Sequence, residues 1–323
     1  MSSRRVVLVV GSGRSGTSAL AGGLQALGMH VPPPEVPADE TGLRGSAESQ
    51  WVVDLHTELL ERANVGVTDA RPSAWFETGK WSANGILRTR VVDWLGPQFA
   101  PLPDDEPGDP EPELVLKDPR MAWFLGLWKA AAIRVEATPA YLTTLRHVTE
   151  VVGTRDRPSA RTAAWVNMML HTERATRGSL RAFVRYDDLL ADWTIPLFRV
   201  GHEFGLRAVT EASANSMRKV HQFVDPDLHR AHHTWADLAV PPRLQEIAEE
   251  SWRTLSGLAE PDGDTADRHA TLDQLRDAYV GLYEEAEGIT ASTADAARRE
   301  GATDAATDNG SDQPRGLKRL LGR

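Results

Sequence analysis

The 323-residue sequence contains no cysteine, which excludes disulfides, a thiolate nucleophile and cysteine-ligated zinc, and fits a reducing compartment. It also lacks an excess of positive charge: 36 Lys and Arg stand against 46 Asp and Glu, a formal charge of −10. Binding nucleic acid through its phosphates requires a basic footprint. No nucleic-acid partner is therefore expected, and any basic site must be local. Long apolar runs are missing as well. Met1-Ser2-Ser3-Arg4-Arg5 leads into a run too short for a signal peptide or a membrane span, so a cytoplasmic protein without a transmembrane segment is the expectation. There is no internal repeat.

What the chain does have is an apolar run, Val6 to Val10, that enters Gly11-Ser12-Gly13-Arg14-Ser15-Gly16-Thr17-Ser18 and then a helix start. Glycines at 11, 13 and 16 let backbone N–H groups converge on an anion, and a helix opening near Thr17 adds its unpaired amides and positive dipole end. The spacing is Gly-x-x-x-x-Gly, yet Thr17 stands where a P-loop nucleotidase carries lysine. That lysine neutralises the β- and γ-phosphates during phosphoryl transfer. Its absence argues against ATP or GTP hydrolysis and leaves a phosphate cradle with Arg14 as the local cation. A plain tight turn is the competing reading. The apolar strand, Arg14 and the Thr17-Ser18 hydroxyls weigh against it.

Strand-like runs recur at Val6 to Val10, Leu114 to Leu116, Tyr141 to Leu145 and Ala182 to Val184, each followed by helical spacing. This alternation predicts an α/β fold with a doubly wound, mostly parallel sheet. Helical insertions fall between the first two strands: Trp51, Val52, Leu55, Leu59 and Leu60 share one face, and Ile86, Leu87, Val91, Trp94 and Leu95 another. Val31 to Pro34 and the acidic Pro101 to Pro112 read as loops. A helix after Asp187-Asp188-Leu189-Leu190 is interrupted or restarted at Pro196, and Pro242 to Ala259 and Leu272 to Ala286 read as further helices. After Gly288 the composition turns to Ala, Thr, Asp, Gly and Ser. The expected organisation is one domain over 1–287, a disordered linker over 288–315 and a short basic amphipathic tail over 316–323. For that tail, docking to a membrane surface or a partner is the lesser expectation beside a solubilising end.

The loop Gly13-Arg14-Ser15-Gly16-Thr17-Ser18 resembles the 5′-phosphosulfate loop of the sulfotransferase family, whose donor is 3′-phosphoadenosine 5′-phosphosulfate. Leu145-Arg146-His147-Val148-Thr149-Glu150-Val151-Val152-Gly153-Thr154 is similar to that family's 3′-phosphate segment, an Arg at a strand end and a Ser eight residues on. Arg146 and Glu150 fit; Val148 replaces the usual proline and Thr154 the serine. A phosphate dianion calls for a guanidinium fork and a hydroxyl donor, and the resemblance assigns these to Arg146 and Thr154. Lys117-Asp118-Pro119 resembles a turn of protein-tyrosine sulfotransferases whose lysine approaches the transferring group, so Lys117 would support charge on the leaving oxygen. It reads equally as a cap, with Asp118 at the N-cap and Pro119 at the first helical position.

Gly45-Ser46-Ala47-Glu48-Ser49 resembles the segment carrying the general base in the same enzymes. Glu48 is thus either the base or a carboxylate favouring the start of the following helix. Asp54 and His56 are reserve bases, with surface roles expected first. Arg185-Tyr186-Asp187-Asp188-Leu189-Leu190 is similar to the Tyr-Glu-Asp-Leu segment of many sulfotransferases. His229, His232 and His233 have spacing that admits zinc, though a loop closing over the nucleotide is the preferred reading and no metal is expected.

The resemblance covers residues 5 to 235 and implies a P-loop-like α/β sulfotransferase of the bacterial type. Its acceptor would be a hydroxyl, less readily an amine, on a glycan, glycolipid or small metabolite. Trp51, Trp75, Trp81 and Trp94 are offered as stacking faces or core. The alternatives are a nucleotide or small-molecule kinase with an atypical P-loop, needing magnesium and a lysine supplied from elsewhere, and an inactive nucleotide- or glycan-binding module.

Overall fold

Four largely apolar runs form four strands in a computed structural model that describes residues 4–37, 47–103, 106–224 and 233–310. They are β1 (Arg5–Val10), β2 (Leu114–Lys117), β3 (Thr138–Leu145) and β4 (Leu180–Arg185), all parallel and ordered β2-β1-β3-β4. Each contains one of the expected runs. The parallel sheet is buried on both sides, which is why its strands read as continuous apolar stretches. Val6, Leu8, Val10, Leu114, Leu116 and Tyr141 pack into one core cluster. Their alternates Val7, Val9, Val115, Ala140, Leu142 and Val184 pack into the other.

Helices connect these strands. α1 (Thr17–Leu27) follows β1; α2 (Gln50–Ala63), α3 (Ala74–Ser82) and α4 (Gly85–Leu95) fill the stretch before β2; α5 (Leu125–Arg134) leads to β3. α6 (Val148–Val152) and α7 (Pro158–Thr176) join β3 to β4. Beyond the sheet come α8 (Tyr186–Ala191), α9 (Thr194–Phe204), α10 (Arg207–Thr210), α11 (Ala214–Phe223), α12 (Pro242–Gly257) and α13 (Ala266–Gly310). The break expected at Pro196 lies instead at Asp192 and Trp193. Pro196 sits in the first turn of α9, where its missing N–H would have had no helical partner.

The chain leaves β1 for β2 on one side, then crosses to β3 on the other. The carboxyl ends of β1, β2 and β3 therefore flank a topological switch point, the place where open parallel sheets hold ligands. The loop from Gly11, Lys117 and Arg146 all lie at that edge.

The chain divides into two compact units, Met1–Tyr279 and Val280–Arg323. The first contains the sheet. The described part of the second is the remainder of α13, whose helical assignment runs through Gly288 to Gly310. The basic piece 316–323 lies outside the described residues. Among the described residues no helix is long and apolar enough to cross a membrane.

Candidate active site

The loop after β1 owes its path to two glycines. Gly11 has φ +145° and Gly16 φ +95°, and a Cβ on Gly16 would stand 2.2 Å from the ring of Tyr186. A Cβ at Gly13 would meet nothing, so that position is spacious rather than required. Arg14 takes a left-handed conformation at φ 72° without being glycine, a cost on the order of 1–3 kcal/mol that the surrounding structure must hold. Ser15 fixes the turn: its Oγ lies 2.7 Å from Ser12 O and 2.7 Å from Thr144 Oγ1 on β3. Gly16 caps α1, with no side chain bonded to the helix start. The first N–H groups, from Thr17 and Ser18 onward, thus lack helical acceptors and are free to serve an anion. Ser12 Oγ is buried with no hydrogen-bond partner among the described residues.

Lys117 closes β2 directly beside Val9 in the sheet register. Its side chain is 3% exposed, and its ammonium donates to Ser18 Oγ at 2.9 Å and to Glu48 Oε1. Glu48 precedes α2, whose N-cap is Ser49 and whose first turn holds no acidic residue. Its carboxylate is therefore turned to Lys117 rather than to the helix start. The backbone around it is pinned to the proline segment: Val36 N donates to Glu48 O and Gln50 N to Pro34 O, each at 2.8 Å. Ala47, just before it, is left-handed at φ 51°. Structure thus brings together Glu48, Lys117 and Ser18, three residues far apart in sequence.

Asp118 accepts from Arg120 N at 2.7 Å, an Asx-type turn in place of the expected cap over Pro119. The short 3₁₀ turn begins only at Met121, with Arg120 as N-cap. Asp118 Oδ2 also lies 3.2 Å from His56 Nδ1, and Trp128 Nε1 donates to His56 Nε2 at 2.8 Å. An indole only donates, so this contact fixes the Nδ1–H tautomer of His56 facing Asp118. Burial raises the Asp118 pKa, but the His56 contact and the Arg120 charge outweigh it and hold the carboxyl below its ordinary value. His56 is fully buried. The surface role expected for it is wrong, because it packs between Phe124 and Trp128. Its Nε2 is occupied by Trp128 and its Nδ1 faces Asp118 without a well-aligned hydrogen bond, and full burial sets the ring apart from an acceptor, which removes it as a reserve base. Asp54 is exposed, as expected, and accepts from Gln50.

Arg146 follows β3. Its Nε donates to Glu150 Oε2 at 2.8 Å, its Nη1 to Arg14 O at 3.3 Å, and its guanidinium lies 4.6 Å from the Tyr186 ring centre. It thereby ties the helix after β3 to the loop after β1. Thr154 is exposed in the turn after α6 and makes no hydrogen bond to Arg146, whose guanidinium is turned to Glu150, Arg14 O and Tyr186. His147 caps α6 through Thr149 and reaches Glu249 Oε2 at 3.1 Å, while Trp235 Nε1 donates to the same oxygen at 2.9 Å. Thr149 Oγ1 donates to His233 O at 2.6 Å. The chain after residue 232 is thus fastened to the helix after β3. His229 and His232 lie outside the described residues, and no group of three metal-binding side chains occurs among the described ones.

A cleft of about 750 Å³ opens beside the second half of α2, lined by Leu60, Glu61, Val65, Val67, Arg71 and Arg120. Its rim is rigid: Asn167 Nδ2 donates to Asp69 O and Arg71 O, and Trp123 Nε1 to Val67 O. Trp75 stacks on Trp123 and on His171, so it is wall rather than an open face. Trp51 and Trp94 likewise stack on each other at 4.2 Å.

No protein-family model matches the chain, and no curated protein does. Among solved structures it is similar to the sulfotransferase domain of the olefin synthase of Synechococcus PCC 7002. Identity is 15% and the TM-score 0.43, over 78% of this chain and 94% of that one. A likeness at that level carries no argument about activity, which rests on the side chains.

Proposed function

We propose that the chain transfers a sulfuryl group from 3′-phosphoadenosine 5′-phosphosulfate to a hydroxyl, less readily an amine, of a glycan, glycolipid or small metabolite. The observation that carries this reading is the Lys117 ammonium, which bonds both Ser18 of the phosphate loop and Glu48. An activated sulfate donor supplies a sulfur whose bond to the phosphate oxygen breaks as the acceptor oxygen bonds to it. Gly13, Arg14, Ser15, Gly16, Thr17 and Ser18 would hold the 5′-phosphosulfate through backbone N–H groups and hydroxyls, and Arg146 and Thr154 the 3′-phosphate. The free start of α1 and the unpartnered Ser12 hydroxyl fit a loop that takes an anion.

Lys117 would move its ammonium from Glu48 toward charge growing on the leaving phosphate oxygen. Glu48 Oε1 is occupied by Lys117, and Oε2 has no hydrogen-bond partner among the described residues. Oε2 is the atom that would take the acceptor proton. Asp118, braced by His56, holds the turn that follows Lys117.

A second reading has one observation in its favour. The kinase alternative requires a lysine from outside the loop, and Lys117 on Ser18 is such a lysine. One set of measurements separates the readings: titration with 3′-phosphoadenosine 5′-phosphate and with Mg-ATP, then transfer from radiolabelled donor to an acceptor panel. Preferential binding of the bisphosphate with label transfer is expected. Appreciable magnesium-dependent ATP turnover would favour the kinase, and tight bisphosphate binding without transfer to any acceptor the inactive module.

A further inference from the structure

A second, smaller cleft of about 110 Å³ lies against the leading half of the phosphate loop, lined by Ser12, Gly13, Arg14, Arg155, Arg161 and Trp165 among others. Several partly buried arginines of this chain pair with carboxylates, as Arg177 and Arg181 do with Glu173, Asp264 and Asp273, whereas around this cleft Arg14 and Arg155 are exposed and Arg161 is partly buried. Arg14, Arg155 and Arg161 form no ion pair among the described residues. Arg161 only donates from Nε to the backbone oxygen of Asp156 at 2.9 Å. Three like charges facing one concavity repel one another unless an anion sits between them. The Ser12 hydroxyl, on a residue 6% exposed, is buried at the same place with no hydrogen-bond partner among the described residues, and a buried polar group left unsatisfied there is available to a water or a bound ion.

Size and position restrict that ligand. Pockets for whole small molecules run to about 300–1,000 Å³, so this one admits a single compact group. Of the residues assigned above to the donor, Gly13 and Arg14 line it and Lys117, Ser18, Arg146 and Thr154 do not, so the cleft adjoins the donor loop on the side of α6 and α7. Its walls come from Ser12 to Arg14 rather than from the start of α1.

We infer that the small cleft is an oxyanion subsite for the acceptor, holding a sulfate, phosphate or carboxylate that the acceptor already carries. The inference rests on the sulfotransferase reading and narrows it to anionic acceptors. Arg155 and Arg161 would grip the group as guanidinium forks, and Ser12 Oγ would donate to it.

The test saturates the full chain with 3′-phosphoadenosine 5′-phosphate, filling both donor phosphate positions, and then measures equilibrium dialysis of labelled inorganic sulfate, phosphate and acetate. One additional anion site per chain is expected. The double variant Arg155→Gln/Arg161→Gln should weaken it about tenfold or more while changing bisphosphate affinity less than about twofold, which also reports that the variant is folded. The order of affinity among the three anions distinguishes a tetrahedral from a planar group. Absence of a further anion site in the saturated protein overturns the inference. So does a tenfold loss of bisphosphate affinity in the double variant, which would assign the arginines to the donor. Failure of the unmodified chain to bind the bisphosphate at all overturns the sulfotransferase reading itself, and the acceptor role with it.

Discussion

Glu48 and Lys117 form a largely buried pair, so substituting either acts on stability and chemistry together. Removing one partner of such a pair leaves an uncompensated charge and costs about 3–5 kcal/mol when burial is complete. Glu48 keeps 13% exposure, which places its loss at the lower end. Glu48→Gln should therefore lower both the melting temperature and turnover, the latter by roughly 100-fold or more if the carboxylate is the base. The double variant Glu48→Gln/Lys117→Met removes both charges, so thermal melting should recover most of the lost stability while turnover stays low. Recovery of turnover alongside stability would remove both residues from the chemistry. Arg146 offers a cleaner separation. Arg146→Ala should weaken 3′-phosphoadenosine 5′-phosphate about tenfold more than adenosine 5′-phosphosulfate, which lacks the 3′-phosphate, because a hydrogen bond to a charged group is worth about 1.5–3 kcal/mol. Titration calorimetry with both ligands reads this, and equal losses would confine Arg146 to bracing Glu150 and Arg14.

At the scale of elements, the Gly16 turn is where loop and helix depend on each other. Gly16→Ala would drive a methyl into Tyr186 at a left-handed position, so a loss on the order of 1–3 kcal/mol in chemical denaturation is expected, together with weaker bisphosphate binding. An unchanged midpoint would mean that Tyr186 yields. All four strands were legible in the sequence because burial on both faces made each an apolar run. The Gly11 to Ser18 loop was legible because its glycines and hydroxyls keep a fixed spacing after β1. What periodicity does not carry is contact between distant segments. That His56 is enclosed by Asp118 and Trp128 depends on α2 lying over the β2 turn, and an imidazole on a helix otherwise reads as surface. The arginine cleft was hidden for a related reason: Arg155 and Arg161 look like solvated charges until the loop between them and Arg14 is folded. The helical assignment of α13 beyond Ala286 runs through a stretch rich in alanine, a good helix former that leaves no amphipathic stripe to read.

For the whole molecule, one source of acid sensitivity is His171, stacked on Trp75. Burial, reinforced by the charges of Arg174 and Arg276, pushes its pKa down to about 3 from an ordinary 6.5. Below pH 6.5 the unfolded chain takes a proton that the folded chain refuses, so stability falls as pH drops from about 6.5 toward about 3. His171→Phe keeps an aromatic ring and removes the titration. Melting curves at pH 7 and pH 4.5 should show a smaller decrease for the variant than for the parent, and an equal decrease would assign the acid sensitivity elsewhere. The pairing of Val9 with Lys117 has a consequence for how this fold tolerates change. The amine that reaches Ser18 in the loop after β1 is mounted on the neighbouring strand, so the sheet acts as a caliper between them. A single-residue insertion within the four residues of β2 would turn Lys117 to the opposite face and detach it from Ser18 and Glu48. Length changes in the exposed Glu106–Pro110 stretch upstream leave the caliper closed. The approach to β2 can thus be lengthened, while a single-residue insertion within β2 loses the site.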